Sequence, residues 1–171
     1  MLLSTPRLCL RPLTPGDASH FFRLNEDPEV MRYLPEERFE NEAAARSFLE
    51  TYPDSQPPGY GRLAVLDEVN GHWLGWCGLK YHPQIDDVDL GFRFYRQYWG
   101  QGYATEAGRR CLEYGFNDLG LNSVYAHVDA ANVGSQRALE KCGFLRSGTF
   151  TETDWSGWSY RLERERWLLV R

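Results

Sequence analysis

No CxxC pair joins any of the four cysteines, Cys9, Cys77, Cys111 and Cys142, which lie far apart in the chain. Zinc ribbons and disulfide frameworks depend on paired spacing, so these thiols read as reduced and partly buried, and no metal site is expected. No apolar run is long enough to cross a bilayer. The opening "MLLSTPRLCLRPL" carries an early proline and two arginines instead of a signal-peptide core. A cytoplasmic protein without membrane attachment is the expectation. Basic residues are also short: 19 Lys and Arg face 24 Asp and Glu, a net charge of -5. Nucleic acid requires a basic face and is not an expected partner, whereas an amine-bearing partner is compatible with that charge. The signatures GxxxxGK[ST], HExxH and GxSxG are absent, which removes P-loop triphosphatases and the commonest zinc and serine hydrolases.

What remains is an ordinary globular composition, 42% hydrophobic and 25% charged over 171 residues, read as one α/β domain spanning 1–171. Aromatic residues reach 15%, enough to fill a core and line a binding cleft. "RLCLRPLT" alternates as a strand. "TPGDASHFFRLNED", "DPEVMRYL" and "NEAAARSFLETY" read as helices, the first two with Thr14 and Asp27 as caps. "GRLAVLDEVNGHWLGWCGLKY" reads as two strands around a tight Asn70-Gly71 hairpin turn, and "DVDLGFRFY" as a third strand. A helix follows from Ala104, then a strand "SVYAHVDA", then a helix "NVGSQRALEKCGF" closing at Gly143. "LRSGTFTE" and "SYRLERERWLLV" are expected to close the fold as an antiparallel strand pair.

The segment "YWGQGYATEAGRR" puts Gly100 and Gly102 one residue apart at the mouth of a helix. Free amides and the helix dipole make such an end attractive to anions, so a phosphate could rest against the bare backbone. Equally, the glycines could only turn the chain between strand and helix. The nucleotide fingerprint GxGxxG fails, because Thr105 holds the third glycine position.

Gln97-Tyr98-Trp99-Gly100-Gln101-Gly102 resembles the Q/R-x-x-G-x-G/A loop of the GNAT superfamily of acetyl-CoA-dependent N-acetyltransferases. "WGQGYATEA", "TPRLCLRPLT…DPEVMRYL" and "NVGSQRALEKCGF" resemble its RimJ/RimL-type branch, in the same order along nearly the whole chain. The resemblance implies a mixed, mostly antiparallel central sheet with flanking helices. It also implies that strand Asp89–Phe94 splays from strand Ser123–Asp129. Coenzyme A would then be held by the loop amides around Tyr98, Tyr103 and Ala104 and by the backbone of Phe92, Arg93 and Phe94, with the pantetheine in the gap. Asn132 and Ser135 would complete its binding, though Asn132 could equally cap "VGSQRALEKCG" or do both; Arg137 and Lys141, one helical turn apart, could meet the ribose phosphate or form a solvated helix face, and a homodimer is a further implication.

Acetyl transfer to an amine requires deprotonation of the amine, stabilisation of an oxyanion and departure of a thiolate. Many superfamily members place a tyrosine seven residues after the asparagine; here that position is Leu139. The branch offers Ser135 instead, unless that serine merely decorates its helix turn. For the base, Glu152 and Asp154 are the candidates, with Asp89, His82 and His127 as others. Each is also readable as an ordinary surface acid or lone histidine. The acceptor cleft is expected to involve Met31, Tyr33, Trp76, Tyr81, Trp155 and Trp158, all open to a plain core-packing reading. The competing function is a non-catalytic acyl-CoA sensor on the same fold, motivated by Leu139 and the unclear base.

Overall fold

Sheet register explains where the site lies. The chain's structure, a computed structural model, describes residues 2–35 and 38–171. Strands β1 (Leu3–Ser4), β2 (Leu8–Pro12), β3 (Gly61–Asp67), β4 (Trp73–His82) and β5 (Asp87–Phe94) form one antiparallel ladder. Strands β6 (Ser123–Asp129), β7 (Leu145–Glu152) and β8 (Trp155–Glu163) form a second, in the order β6-β8-β7. The ladders join into one eight-stranded sheet through β5 and β6, which run parallel and share the single register pair Asp89↔Tyr125 among the described residues.

Apolar periodicity assigns the two faces. On β6, Val124, Ala126 and Val128 are buried, while Tyr125, His127 and Asp129 alternate onto the opposite face. The buried set packs with α4 (Tyr103–Asn117), α5 (Val133–Lys141) and α6 (Arg164–Val170) through Cys111, Leu112, Phe116, Leu139 and Trp167. The other face is covered unevenly. Helices α1 (Ala18–Glu26), α2 (Pro28–Met31) and α3 (Glu42–Thr51) bury Phe21, Leu24, Val30 and Leu49 against Ala64, Trp73 and Trp76 of β3 and β4. No described residue of β6, β7 or β8 joins that cluster, so this face of the second ladder stays open beside α2.

Local chemistry sets the starts of α2, α3 and α5. Asp27 Oδ1 accepts the Glu29 amide at 2.9 Å and Asn41 Oδ1 the Ala44 amide at 2.9 Å, satisfying donors that a helix start leaves free. Two expectations are corrected. Arg164–Val170 is helix α6, not strand, because Trp167 turns inward and stacks on Phe116 at 5.0 Å. The Asn70-Gly71 turn is wider than a two-residue hairpin: Asp67 Oδ1 accepts the amides of both Val69 and Asn70 and holds a longer loop.

Candidate active site

Beyond the Asp89–Tyr125 bridge, β5 keeps its pairing with β4 and β6 its pairing with β8, but the two strands no longer pair with each other. Alternate residues of a strand turn their N–H and C=O groups toward each side, so beyond the bridge the facing edges of β5 and β6 border a gap across which they do not pair with each other. A cleft of about 300 Å³ opens at this gap. Phe92 and Arg93 line it, whereas Phe94 turns into the core beneath α4.

The end of the gap nearest the bridge is tied shut. Arg62 Nη2 donates to both carboxylate oxygens of Asp89, at 3.0 and 2.7 Å, and His82 Nε2 lies 3.2 Å from Asp89 Oδ1. Across the seam, Arg161 Nη2 of β8 donates to Asp87 Oδ2 at 2.6 Å and its Nη1 to Ser123 Oγ at 2.8 Å. Burial pushes the Asp89 carboxyl upward, but Arg62 and His82 outweigh it and hold the group below the usual carboxylate range. A carboxylate so engaged is a structural anion and a poor base.

At the other end of β5 the glycine loop leads into α4. The indole N–H of Trp99 donates to the Phe94 carbonyl at 2.9 Å and the Gln101 side chain to the Gln97 carbonyl at 2.9 Å. Gly100 and Gly102 have φ of +75° and +82°, which explains glycine at both positions. A Cβ on Gly100 would meet nothing within 4 Å, and one on Gly102 only Arg7 Nη2 at 3.6 Å, so the space above the loop is open. Helix α4 has no side-chain cap, which leaves the first-turn amides of Tyr103 and Ala104 without intrahelical acceptors. Tyr98 packs edge-on against Tyr103 at 6.2 Å and steadies this turn.

Residues far upstream fix the loop. Glu106 Oε1 accepts the Thr5 hydroxyl at 2.6 Å and Glu106 Oε2 the Arg7 Nε–H at 2.7 Å, while Arg7 Nη1 donates to the Gln101 carbonyl at 3.1 Å. Burial pushes the Glu106 carboxyl up; Thr5 and Arg7 overcome this and hold it low. On the far flank, Arg109 Nη2 donates to the Lys141 carbonyl at 2.6 Å, tying α4 to the end of α5.

The start of α5 closes the other wall. Asn132 Oδ1 accepts the Ser135 amide at 3.1 Å, so the asparagine caps the helix. Both residues line the cleft, and the Ser135 hydroxyl makes no hydrogen bond among the described residues. Leu139 lines it too, 2% exposed at the cleft floor. Arg137 points to solvent from the same helix.

The remaining candidates separate by position. Tyr33, Trp76, Trp155 and Glu152 line the cleft. Trp76 lies between two guanidiniums, with Arg62 5.4 Å and Arg93 5.2 Å from its ring centre. Met31 is buried behind Arg93, its sulfur 3.6 Å from Nη1. Tyr81 does not line the cleft: its hydroxyl donates to Asp86 at 2.8 Å. Nor does Trp158, which the pleat turns to the helix-covered face, where Arg146 sits 4.1 Å over its ring. Asp154 stands exposed in the β7–β8 turn, outside the cleft lining. Sequence reasoning missed Arg62, because its partner Asp89 is 27 residues away, and missed that "TPR" and "ATEA" meet through Glu106. In the sequence the two segments stand only as separate motifs.

The residues present suit a pantetheine-linked pyrophosphate: an open, uncapped helix mouth runs into a gap between two strands that no longer pair with each other. Comparison with known proteins agrees. The domain described as "Acetyltransferase (GNAT) domain" matches residues 7–145. YkkB of Bacillus subtilis, described as an uncharacterized protein, is 35% identical over 153 residues, covering 86% of this chain and 87% of its own length. The FsC-acetyl coenzyme A-N(2)-transacetylase of Aspergillus fumigatus is 31% identical, covering 99% of this chain and 79% of its own. A crystal structure of a GNAT-family acetyltransferase from Bacillus anthracis superposes with a TM-score of 0.84 at 26% identity, covering 96% of this chain and 99% of that one. The chain belongs to the GNAT family and is an N-acetyltransferase that uses acetyl-CoA.

Proposed function

We propose that this chain, working as one domain over 1–171, transfers acetyl to a primary amine of a small molecule or peptide N-terminus by direct attack in a ternary complex. The observation that carries the reading is the continuous path from the uncapped start of α4, along the parted edges of β5 and β6, to the unengaged hydroxyl of Ser135.

Acetyl-CoA supplies an activated thioester when bound. The amides of Tyr103 and Ala104, with the loop Gln97–Gly102, would hold its pyrophosphate, and the helix dipole would add attraction. Backbone groups of Phe92 and Arg93 serve as the missing strand partner for the pantetheine amides and orient the acyl group. Ser135 Oγ–H would donate to the departing sulfur, the role that Leu139 cannot fill. Arg7 reaches the loop itself, and Arg109 and Lys141 line the cavity that adjoins Gly102; Arg137 would meet coenzyme A only from the solvent side of α5. The Thr5–Arg7–Glu106 clamp joins two motifs shared with the RimJ/RimL-type branch, which supports placement there. Four free cysteines suit a reducing compartment, the cytoplasm.

Thiol release from acetyl-CoA across polyamines, aminoglycosides, amino acids and peptide N-termini tests the reading, with coenzyme binding followed by isothermal titration. Release that depends on one acceptor class is expected. Tight binding with no release for any amine would leave an acyl-CoA sensor.

A further inference from the structure

An acceptor amine is an ammonium ion at neutral pH and must lose a proton before it can attack. Few groups lining the cleft can take it. Asp89 is held by Arg62 and His82, and that contact also occupies His82 Nε2. Asp129 Oδ1 accepts the Ala131 amide at 2.8 Å and shapes a turn. Burial pushes the Tyr125 phenol above its usual range, so it stays neutral. That leaves His127 and Glu152.

His127 stands on β6 along the parted edge, on the open face of the sheet. Its ring stacks on Phe150, with centroids 4.1 Å apart and planes within 1°, while Tyr125 and Trp155 meet it edge-on at 5.1 and 6.2 Å. Nδ1 faces Glu152 Oε1 at 3.8 Å, and Nε2 makes no hydrogen bond among the described residues. Three aromatic walls fix the imidazole plane, and a carboxylate stands behind one nitrogen. The same strand runs on to Asn132 and Ser135, so the ring and the proposed thiolate donor share one rim of the cleft.

We propose that His127 accepts the ammonium proton of the acceptor at Nε2, and that Glu152, behind Nδ1, stabilises the imidazolium and passes the charge to solvent. The N–H bond of the ammonium breaks, its electron pair stays on the amine nitrogen, and an Nε2–H bond forms. The freed pair then makes the N–C bond as the C–S pair leaves with sulfur, which takes the Ser135 Oγ–H proton while Ser135 Oγ regains one from the new amide nitrogen. Overall, ammonium and acetyl-CoA give amide, free thiol and one proton to water. The proposal rests on the transferase reading.

Charges around the ring agree with this role. Burial lowers the affinity of His127 for a proton; Glu152 from β7 and Asp89 from β5 oppose that, and His82 from β4 adds to it. The net shift is downward, so the imidazole is the neutral, proton-accepting form at neutral pH.

The test combines NMR titration with kinetics. The Cε1–H resonance of His127, assigned in the wild type from its through-space contacts with the stacked Phe150 ring, is expected to titrate below the ordinary imidazole value, and lower still in Glu152→Gln. The acid limb of log kcat/KM is expected to follow that titration and to move to lower pH in Glu152→Gln. His127→Gln is expected to cut kcat/KM by about 10²-fold and erase the limb, with coenzyme affinity kept. Two results overturn the proposal: an intact limb and near-normal rate in His127→Gln, or loss of both in Glu152→Gln, which would make the carboxylate the base. A wild type that releases no thiol with any amine overturns the transferase reading as well, before any variant is made. If His127→Gln does not fold, the wild-type titration still decides: a pKa at or above the ordinary value, or one unmatched by the acid limb, rejects the base.

Discussion

The seam between β5 and β6 has two ends built from opposite materials. At the bridged end, Arg62, Asp89, His82, Asp87 and Arg161 cross-link four strands through charged side chains that partner one another. At the parted end, the two strand edges no longer pair with each other, and the side chains beside them include an unengaged serine and a stacked imidazole. Fully satisfied polar groups resist a ligand, because displacing them costs hydrogen bonds. Unpaired edges welcome one. The same two strands thus hold the sheet together at one end and offer a missing strand's place at the other, and the ionic end keeps the gap from propagating along the seam.

Breaking the ionic end should have the largest effect. Asp89→Asn removes the partner of a largely buried guanidinium, a change that costs about 3–5 kcal/mol in comparable pairs. For a chain of this size that corresponds to a fall in Tm of about 6–20 °C, read by calorimetry. The pH dependence has a definite sign. A carboxyl held low in the folded state contributes stability that is complete above its unfolded value and is lost as pH falls through the folded one. Wild type should therefore lose stability in acid more steeply than Asp89→Asn. Equal acid slopes would show that the Arg62 pair carries no folding energy.

Next comes the loop. Gly102→Val would strain a φ of +82° whatever binds there, so it cannot separate a phosphate site from a turn. Asn and Asp tolerate this conformation better and differ from each other only in charge. Gly102→Asp should weaken coenzyme A binding by more than about 10-fold relative to Gly102→Asn, with similar Tm values, since a carboxylate beside the helix mouth repels an anion. Matching affinities for the two variants would reduce the loop to a turn. A smaller effect belongs to Ser135→Ala: kcat about 10-fold lower with coenzyme affinity kept, the mark of a contact that matters only as charge develops.

How much of this the sequence disclosed follows the same division. Local signals were legible: caps at Asp27 and Asn132, the alternation of β5 and β6, the two loop glycines and the serine three residues after Asn132. Each depends on neighbours within a few positions. Pairings that depend on chain return were not legible. Arg62 meets Asp89 and Thr5 meets Glu106 only after the sheet forms, and a single sequence carries no trace of either. Facing was the intermediate case. Trp155 and Trp158 look alike in "DWSGWSY", but the register of β8 against β6 sends Trp158 under Arg146 and leaves Trp155 in the cleft. Arg164–Val170 reads as strand in the sequence because it is too short for its helical period to show without Phe116 to stack on.

The smallest effect is also the one that probes the open end most finely. Leu139 lies one helical turn beyond Ser135 and lines the same cleft, at the position where many relatives by resemblance carry a tyrosine. Leu139→Tyr enlarges a side chain that is 2% exposed, and overpacking a core site costs about 1–3 kcal/mol, so a modest fall in Tm is expected. Its catalytic effect in an otherwise wild-type chain should be within about three-fold, since Ser135 already supplies a hydroxyl. In the Ser135→Ala background the same change should recover part of the lost kcat, because a phenol on the same helix face can reach the departing sulfur. Recovery there, with little gain in wild type, means the two hydroxyls substitute for one another at one atom. Equal effects in both backgrounds would mean they act independently, and Ser135 would return to serving only the first turn of α5.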